Sequence, residues 1–153
     1  METTELVKVD YSWHIPYDTV MGDTYAVFMA GMRDKTLKAN VCRGCNGVHF
    51  PPKPFCDLCY EECADWVEID DTAELITYAV CYVPFPDLPN PPSITGIMKM
   101  GNSIVNFVHN IDGIDKSDPS KIDEQLKVGM KLKPVWKEQR KGHMFDIDYF
   151  KPA

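Results

Sequence analysis

Two cysteine pairs, Cys42-Arg-Gly-Cys45 and Cys56-Asp-Leu-Cys59, stand ten residues apart and constrain the middle of this chain more than any other feature. Four thiolates at that spacing can close a tetrahedron around one metal ion. Such a shell suits Zn²⁺ and leaves no coordination position for water or substrate, so the expected role is structural. Zinc binding, worth roughly 10–16 kcal/mol, would fold a segment with few apolar residues of its own. Function is to be sought elsewhere.

The six cysteines also allow three disulfides. However, the opening METTELVKVD has acidic residues where a signal peptide needs an apolar stretch, and no later run suits a membrane span. The expected compartment is the cytoplasm, where paired CxxC motifs are metal sites. Iron is the rival occupant, because rubredoxin-type centres use the same geometry and would make the chain an electron carrier. Cys63, four residues after Cys59, reads as a free thiol, although it could replace a ligand in a slipped register. Cys81, in the strand-like run 75–83, reads as a small buried thiol.

With 153 residues the chain can bury a core yet suits one small metal module plus one compact domain. Twelve prolines favour short strands and turns over long helices. The net charge of −7 is uneven: residues 61–120 carry −9, whereas 121–153 carry +3. Nucleic-acid binding through phosphates normally needs a basic stripe, so that partner class is disfavoured.

Residues 1–19, with Tyr11, Trp13, Ile15 and Tyr17, read as an extended arm that must rest on something apolar. From Asp23 to Leu37, Tyr25, Phe28, Met29 and Met32 recur at helical spacing, with Asp23 or Thr24 as N-cap. The methionines suit packing on the chain's own metal module or a docking face for a partner. Residues 46–55 read as a hairpin between the cysteine pairs, and 65–71 as an acidic connector. Strands are expected at 72–83, 94–100, 103–110, 132–137 and 143–150, with Gly101-Asn102 as a hairpin turn. A short helix starts at Asp118-Pro119 and stops at Gly129. Three strands, a helix and two strands is the order of an OB-fold. The fold class is therefore mainly β with a small α part: arm and helix (1–37), rubredoxin-like zinc ribbon (38–64) and five-stranded OB-fold (65–153).

The stretches 37–42, 47–52 and 126–130, together with the CxxC pairs and the strand–helix–strand order, resemble the zinc-ribbon/OB-fold proteins that accompany acyl-CoA enzymes. The resemblance spans about residue 20 to 153. It implies a non-catalytic subunit beside a catalytic partner, thiolase-like or an acyl-CoA hydratase, with the thiolase-like partner expected here in a hetero-oligomer and acyl-CoA or CoA as ligand of the complex. Asn46 departs from the family's commoner glycine; asparagine tolerates positive φ, so the knuckle should still form.

Thiolase chemistry needs cysteine and histidine groups within hydrogen-bond reach of one another. His14, His49, His109 and His143 are scattered over an arm, a metal hairpin and two strands, so no catalytic residue is assigned. The expected contribution is positioning or closing the acyl-CoA site. Five prolines stiffen the loop 82–92, making Phe85 and Leu88 candidate partner or substrate contacts, unless the loop only caps its own barrel. Arg33, Lys35, Lys38, Arg43 and Lys53, or Lys131 and Lys133, are candidates for CoA phosphates, with a solvated charged face as the alternative. A nucleic-acid-binding OB module would instead stack bases on Tyr78, Tyr82 and Phe107, against the charge of the middle segment.

Overall fold

Residues 9–84 and 90–153 are described by the structure, a computed structural model. The helical period in 23–33 forms α1 (Asp23–Arg33), which ends before the expected Leu37. Lys35 adopts a left-handed φ of 59°, and the Thr36 N–H donates to the Gly31 carbonyl at 2.8 Å, closing the helix. A Cβ on Gly31 would lie 2.6 Å from the Thr36 carbonyl oxygen, so this turn needs glycine. The N-cap is Gly22, without a side-chain bond, rather than Asp23 or Thr24.

Three short strands form the ribbon: β1 (Lys38–Cys42), β2 (Val48–His49) and β3 (Cys63–Glu68), in the order β2-β1-β3. The acidic stretch expected as a connector instead continues β3 to Glu68, pairing antiparallel with β1 from Cys42↔Cys63 to Lys38↔Glu68. Its acids can occupy a strand because Asp65, Trp66, Val67 and Glu68 all remain exposed.

The remaining strands are β4 (Ala73–Cys81), β5 (Ser93–Met100), β6 (Asn106–Ile111), β7 (Lys131–Trp136) and β8 (Ile147–Pro152). They close a barrel in the order β4-β5-β6-β8-β7, sealed by Ala73↔Leu132, with β6 and β8 parallel through Ile111↔Phe150. Helix α2 (Pro119–Gln125) lies between β6 and β7, with the Asp118 carboxylate accepting the Ser120 N–H at 2.8 Å and Pro119 at its first position. This is the anticipated OB-fold.

Two strand starts differ from expectation, each for a local reason. β6 begins at Asn106 rather than Ser103, because the buried Ser103 hydroxyl accepts N–H groups from Phe50 and Val105, both at 3.1 Å. β8 begins at Ile147 rather than His143. There the Asp146 carboxylate accepts the N–H groups of Lys141, Gly142 and His143 at 3.0, 2.7 and 3.0 Å, curling residues 144–146 into a 3₁₀ turn.

A file of edge-to-face rings crosses all three parts. Phe28 of α1 meets Phe50 at 5.5 Å, Phe50 meets Phe107 of β6 at 5.3 Å, and Phe107 meets Phe150 of β8 at 6.1 Å. Phe28 and Met32 are wholly buried in this common core, so the inner face of α1 packs on its own ribbon and barrel. Met21 and Tyr25 remain on the outer side, exposed. No helix of the described residues is long and apolar enough to cross a membrane.

Phe50 touches both neighbours in the file, and its truncation leaves a cavity between ribbon and barrel. Phe50→Ala is expected to cost about 3–5 kcal/mol. Urea denaturation of the two proteins measures the difference; a loss under about 1 kcal/mol would show that ribbon and barrel do not depend on this contact.

Candidate metal centre

The two cysteine pairs build the same turn twice. In the first, the Asn46 N–H donates to the Cys42 carbonyl at 2.9 Å, and Asn46 takes the left-handed φ of 59° foreseen for it. In the second, the Tyr60 N–H donates to the Cys56 carbonyl at 3.0 Å, and Tyr60 takes a φ of 63°. Backbone N–H groups then point at sulfur. Gly44 and Cys45 approach Cys42 Sγ at 3.3 and 3.5 Å, and Leu58 approaches Cys56 Sγ at 3.4 Å.

These turns bring the sulfurs of Cys42, Cys45, Cys56 and Cys59 within 4.8 Å of one another. Cys42 lies 3.3 Å from Cys59, and Cys45 lies 3.7 Å from Cys56. A tetrahedral ion with bonds of about 2.3 Å to sulfur needs sulfurs about 3.8 Å apart, so the four donors fit such an ion with small adjustment. The N–H groups favour thiolate. The Cys45 N–H, ahead of the Cys59 thiol and the Gly44 N–H, holds the Cys42 thiol down at about 6, and the Leu58 and Cys59 N–H groups lower Cys56.

Close approach also explains two glycines. A Cβ on Gly44 would stand 2.7 Å from Glu61 Cγ and 3.2 Å from Cys59 Sγ. One on Gly47 would stand 2.5 Å from Ile104 of the barrel hairpin and 3.3 Å from Cys45 Sγ. Cys63 packs against the buried sulfurs without joining the four. Its thiol is pushed up to about 11, first by burial and then by charge at Cys42, which keeps it protonated. Cys81 lies outside the ribbon, its thiol donating to the Val83 carbonyl at 3.5 Å.

Asn40 was not anticipated. Wholly buried on β1, it donates to the carbonyls of Lys53 and Cys63 at 2.7 and 2.8 Å and accepts the Lys53 N–H at 3.2 Å. It thus clamps the segment between the pairs to β1. A polar residue within the strand Lys-Ala-Asn-Val-Cys was the signal available.

The histidines stay apart. His14 is exposed on the arm, and His49 is buried on β2. His109 is buried against Phe107 with its pKa lowered by desolvation, and His143 caps the 3₁₀ turn by accepting the Phe145 N–H at 3.2 Å. The cations proposed for phosphate are mostly paired: Arg33 with Asp34, Arg43 with Glu62 and Asp65, Lys53 with Asp57, Lys131 with Glu74, and Lys133 with Asp71. Lys35 and Lys38 have no carboxylate within 4.0 Å among the described residues. Arg33, Lys35 and Lys38 lie around the end of α1, whereas Arg43 and Lys53 lie on the ribbon. Phe85 and Leu88 fall outside the described residues.

Residues 66–137 match the family described as ChsH2, C-terminal OB-fold domain. Among solved structures, the chain is similar to a chain of the structure described as Ltp2-ChsH2(DUF35) aldolase. That likeness has a TM-score of 0.65 and 20% identity, and covers 89% of this chain and 99% of that one. It is also similar to a DUF35-family protein of unknown function from Sulfolobus solfataricus, with a TM-score of 0.64 and 19% identity, covering 86% and 87%. No curated protein sequence matches. The family match thus covers most of the barrel, and the structural likenesses extend the shared fold over most of the chain.

Cys56→Ser is expected to lose the metal and unfold the ribbon, while Cys63→Ala retains both. Metal analysis beside circular dichroism checks this; stoichiometric metal in Cys56→Ser would remove that residue from the ligand set.

Proposed function

We propose that this protein is the non-catalytic, zinc-binding subunit of a thiolase-type acyl-CoA enzyme complex, where it helps to shape or close the acyl-CoA site and stabilises the assembly. One observation carries the reading: residues 66–137 match the ChsH2 C-terminal OB-fold domain, and the chain shares its fold, over 89% of its length, with a chain of the structure described as Ltp2-ChsH2(DUF35) aldolase. The site chemistry supports it. Zinc held by Cys42, Cys45, Cys56 and Cys59 would have all four positions filled by protein, so it would hold the ribbon and activate nothing. Thiolytic chemistry then belongs to a separate catalytic subunit.

The acyl substrate we assign is (S)-2-benzoylsuccinyl-CoA, of anaerobic toluene degradation. This rests only on the sequence's resemblance to the small subunit of that thiolase, which no single residue carries; the scaffold subunit of an acetoacetyl-CoA thiolase is the neighbouring reading. In either case Phe85 and Leu88, between Pro84 and the Pro91-Pro92 pair, are proposed to border the partner or the substrate. Lys35 and Lys38, together with Arg33, Arg43 and Lys53, are the proposed cations for CoA phosphates, those already in ion pairs exchanging a carboxylate for phosphate.

Thiolysis of benzoylsuccinyl-CoA, measured for each subunit and for the mixture, tests the reading. The chain alone is expected to be inactive and the mixture active. Phe85→Ala and Leu88→Ala should weaken turnover roughly tenfold without loss of zinc. Full activity of the partner by itself, or activity of this chain by itself, would refute the assignment.

DNA or RNA binding is expected to be weak and to vanish at moderate salt, because the barrel begins within a segment of net charge −9. Tight, sequence-dependent binding at physiological salt in a gel-shift assay would favour the nucleic-acid reading instead.

A further inference from the structure

The segment 9–21, ahead of α1, forms neither helix nor strand. Among the described residues, no backbone N–H or C=O of residues 9–21 has a hydrogen-bond partner in the protein. Yet its sequence, Val9-Asp-Tyr11-Ser-Trp13-His-Ile15-Pro-Tyr17-Asp18, alternates apolar and polar residues at the period of a strand. Successive side chains of a strand point to opposite faces, so Val9, Tyr11, Trp13, Ile15 and Tyr17 would form one apolar row and Asp10, Ser12, His14 and Pro16 the other. In the structure the apolar row lies open to water: Tyr11 is 80% exposed, Trp13 83%, Ile15 68% and Tyr17 83%. That much aromatic surface is not left uncovered on a protein working alone.

We infer that residues 9–17 are a docking strand that buries its odd-numbered apolar row in a groove on the thiolase-like catalytic subunit. The inference rests on the function proposed above and names the element that makes the contact. Three aromatic side chains of roughly 150–250 Å² each, with a valine and an isoleucine, approach the about 800 Å² that one partner contributes to a standard interface. Charge selects among occupants. Residues 9–22 contain Asp10 and Asp18 and no lysine or arginine, which opposes nucleic acid and an anionic lipid surface.

The same charges oppose a second copy of this chain. The barrel is closed, so the ribbon offers the free strand edges, and the outer edge of β3 carries Asp65 and Glu68. An acidic arm laid there would set carboxylates beside carboxylates. A different protein with a basic rim around an apolar groove fits. Pro16 adds a register constraint: it has no N–H, and the N–H and C=O groups of even-numbered residues share one edge of a strand. Pairing with the partner's sheet therefore runs through the backbone groups of Tyr11, Trp13, Ile15 and Tyr17, the residues whose side chains anchor the arm.

The test uses the full chain with the purified thiolase-like subunit and compares Trp13→Ala/Tyr17→Ala with Ser12→Ala/His14→Ala. Affinity is read by calorimetry, and zinc content and circular dichroism confirm that each variant keeps its fold. The apolar-row variant is expected to weaken binding by about 100-fold or more and the polar-row variant by less than about threefold. Retained affinity in the apolar-row variant, or equal losses in both, would overturn the inference while leaving the proposed function standing. A wild-type chain that binds no thiolase-like subunit would overturn both. A Trp13-dependent homodimer in sedimentation equilibrium would overturn the choice of occupant.

Discussion

Sulfur stands where the ribbon would otherwise need a hydrophobic core. The apolar cluster inside the ribbon consists of Cys42, Cys56 and Cys63, with Cys59 packed against it, and no aliphatic or aromatic side chain belongs to it. Three strands, one of them two residues long, cannot hold four thiols within 4.8 Å by hydrogen bonds alone. A metal ion at these four sulfurs would supply the missing energy, and the knuckle N–H groups aimed at Cys42 and Cys56 favour the thiolates that would bind it.

The ribbon in turn places Phe50, and Phe50 joins it to helix and barrel. Its ring lies between Phe28 and Phe107, and its N–H binds the Ser103 hydroxyl of the barrel hairpin, so helix, ribbon and barrel share one interior. Ile104 reaches back over Gly47 beside the Cys45 sulfur, a second tie between hairpin and metal turn. Loss of the metal would therefore loosen the support of α1 and, with it, the presentation of the arm that precedes it. On the proposed function and the inferred docking role of the arm, this would couple the metal site to the surface that meets the partner.

How much of this the sequence disclosed follows from how local each cause is. The CxxC pairs, the Asp118-Pro119 helix start and the strand alternation act within a few residues, and each led to the right element. Asn46 was read correctly because its left-handed turn depends only on its place after Cys45. Tyr60 occupies the same place after Cys59, but a bulky aromatic residue gives no propensity signal for that conformation. The strand character of 65–68 was hidden by its acids, since its cause is pairing with β1 more than twenty residues away. Asn40, Ser103 and Asp146 were missed as structural residues because their partners are supplied by the fold, not by the neighbouring sequence.

Amide hydrogen exchange, followed by fragment mass spectrometry on the metal-loaded and the chelator-treated protein, tests most directly whether the ribbon is built by its metal. The account predicts that chelation strips protection from residues 38–68 while the barrel strands between 73 and 152 keep most of theirs. Protection of 38–68 that survives complete removal of the metal would contradict it.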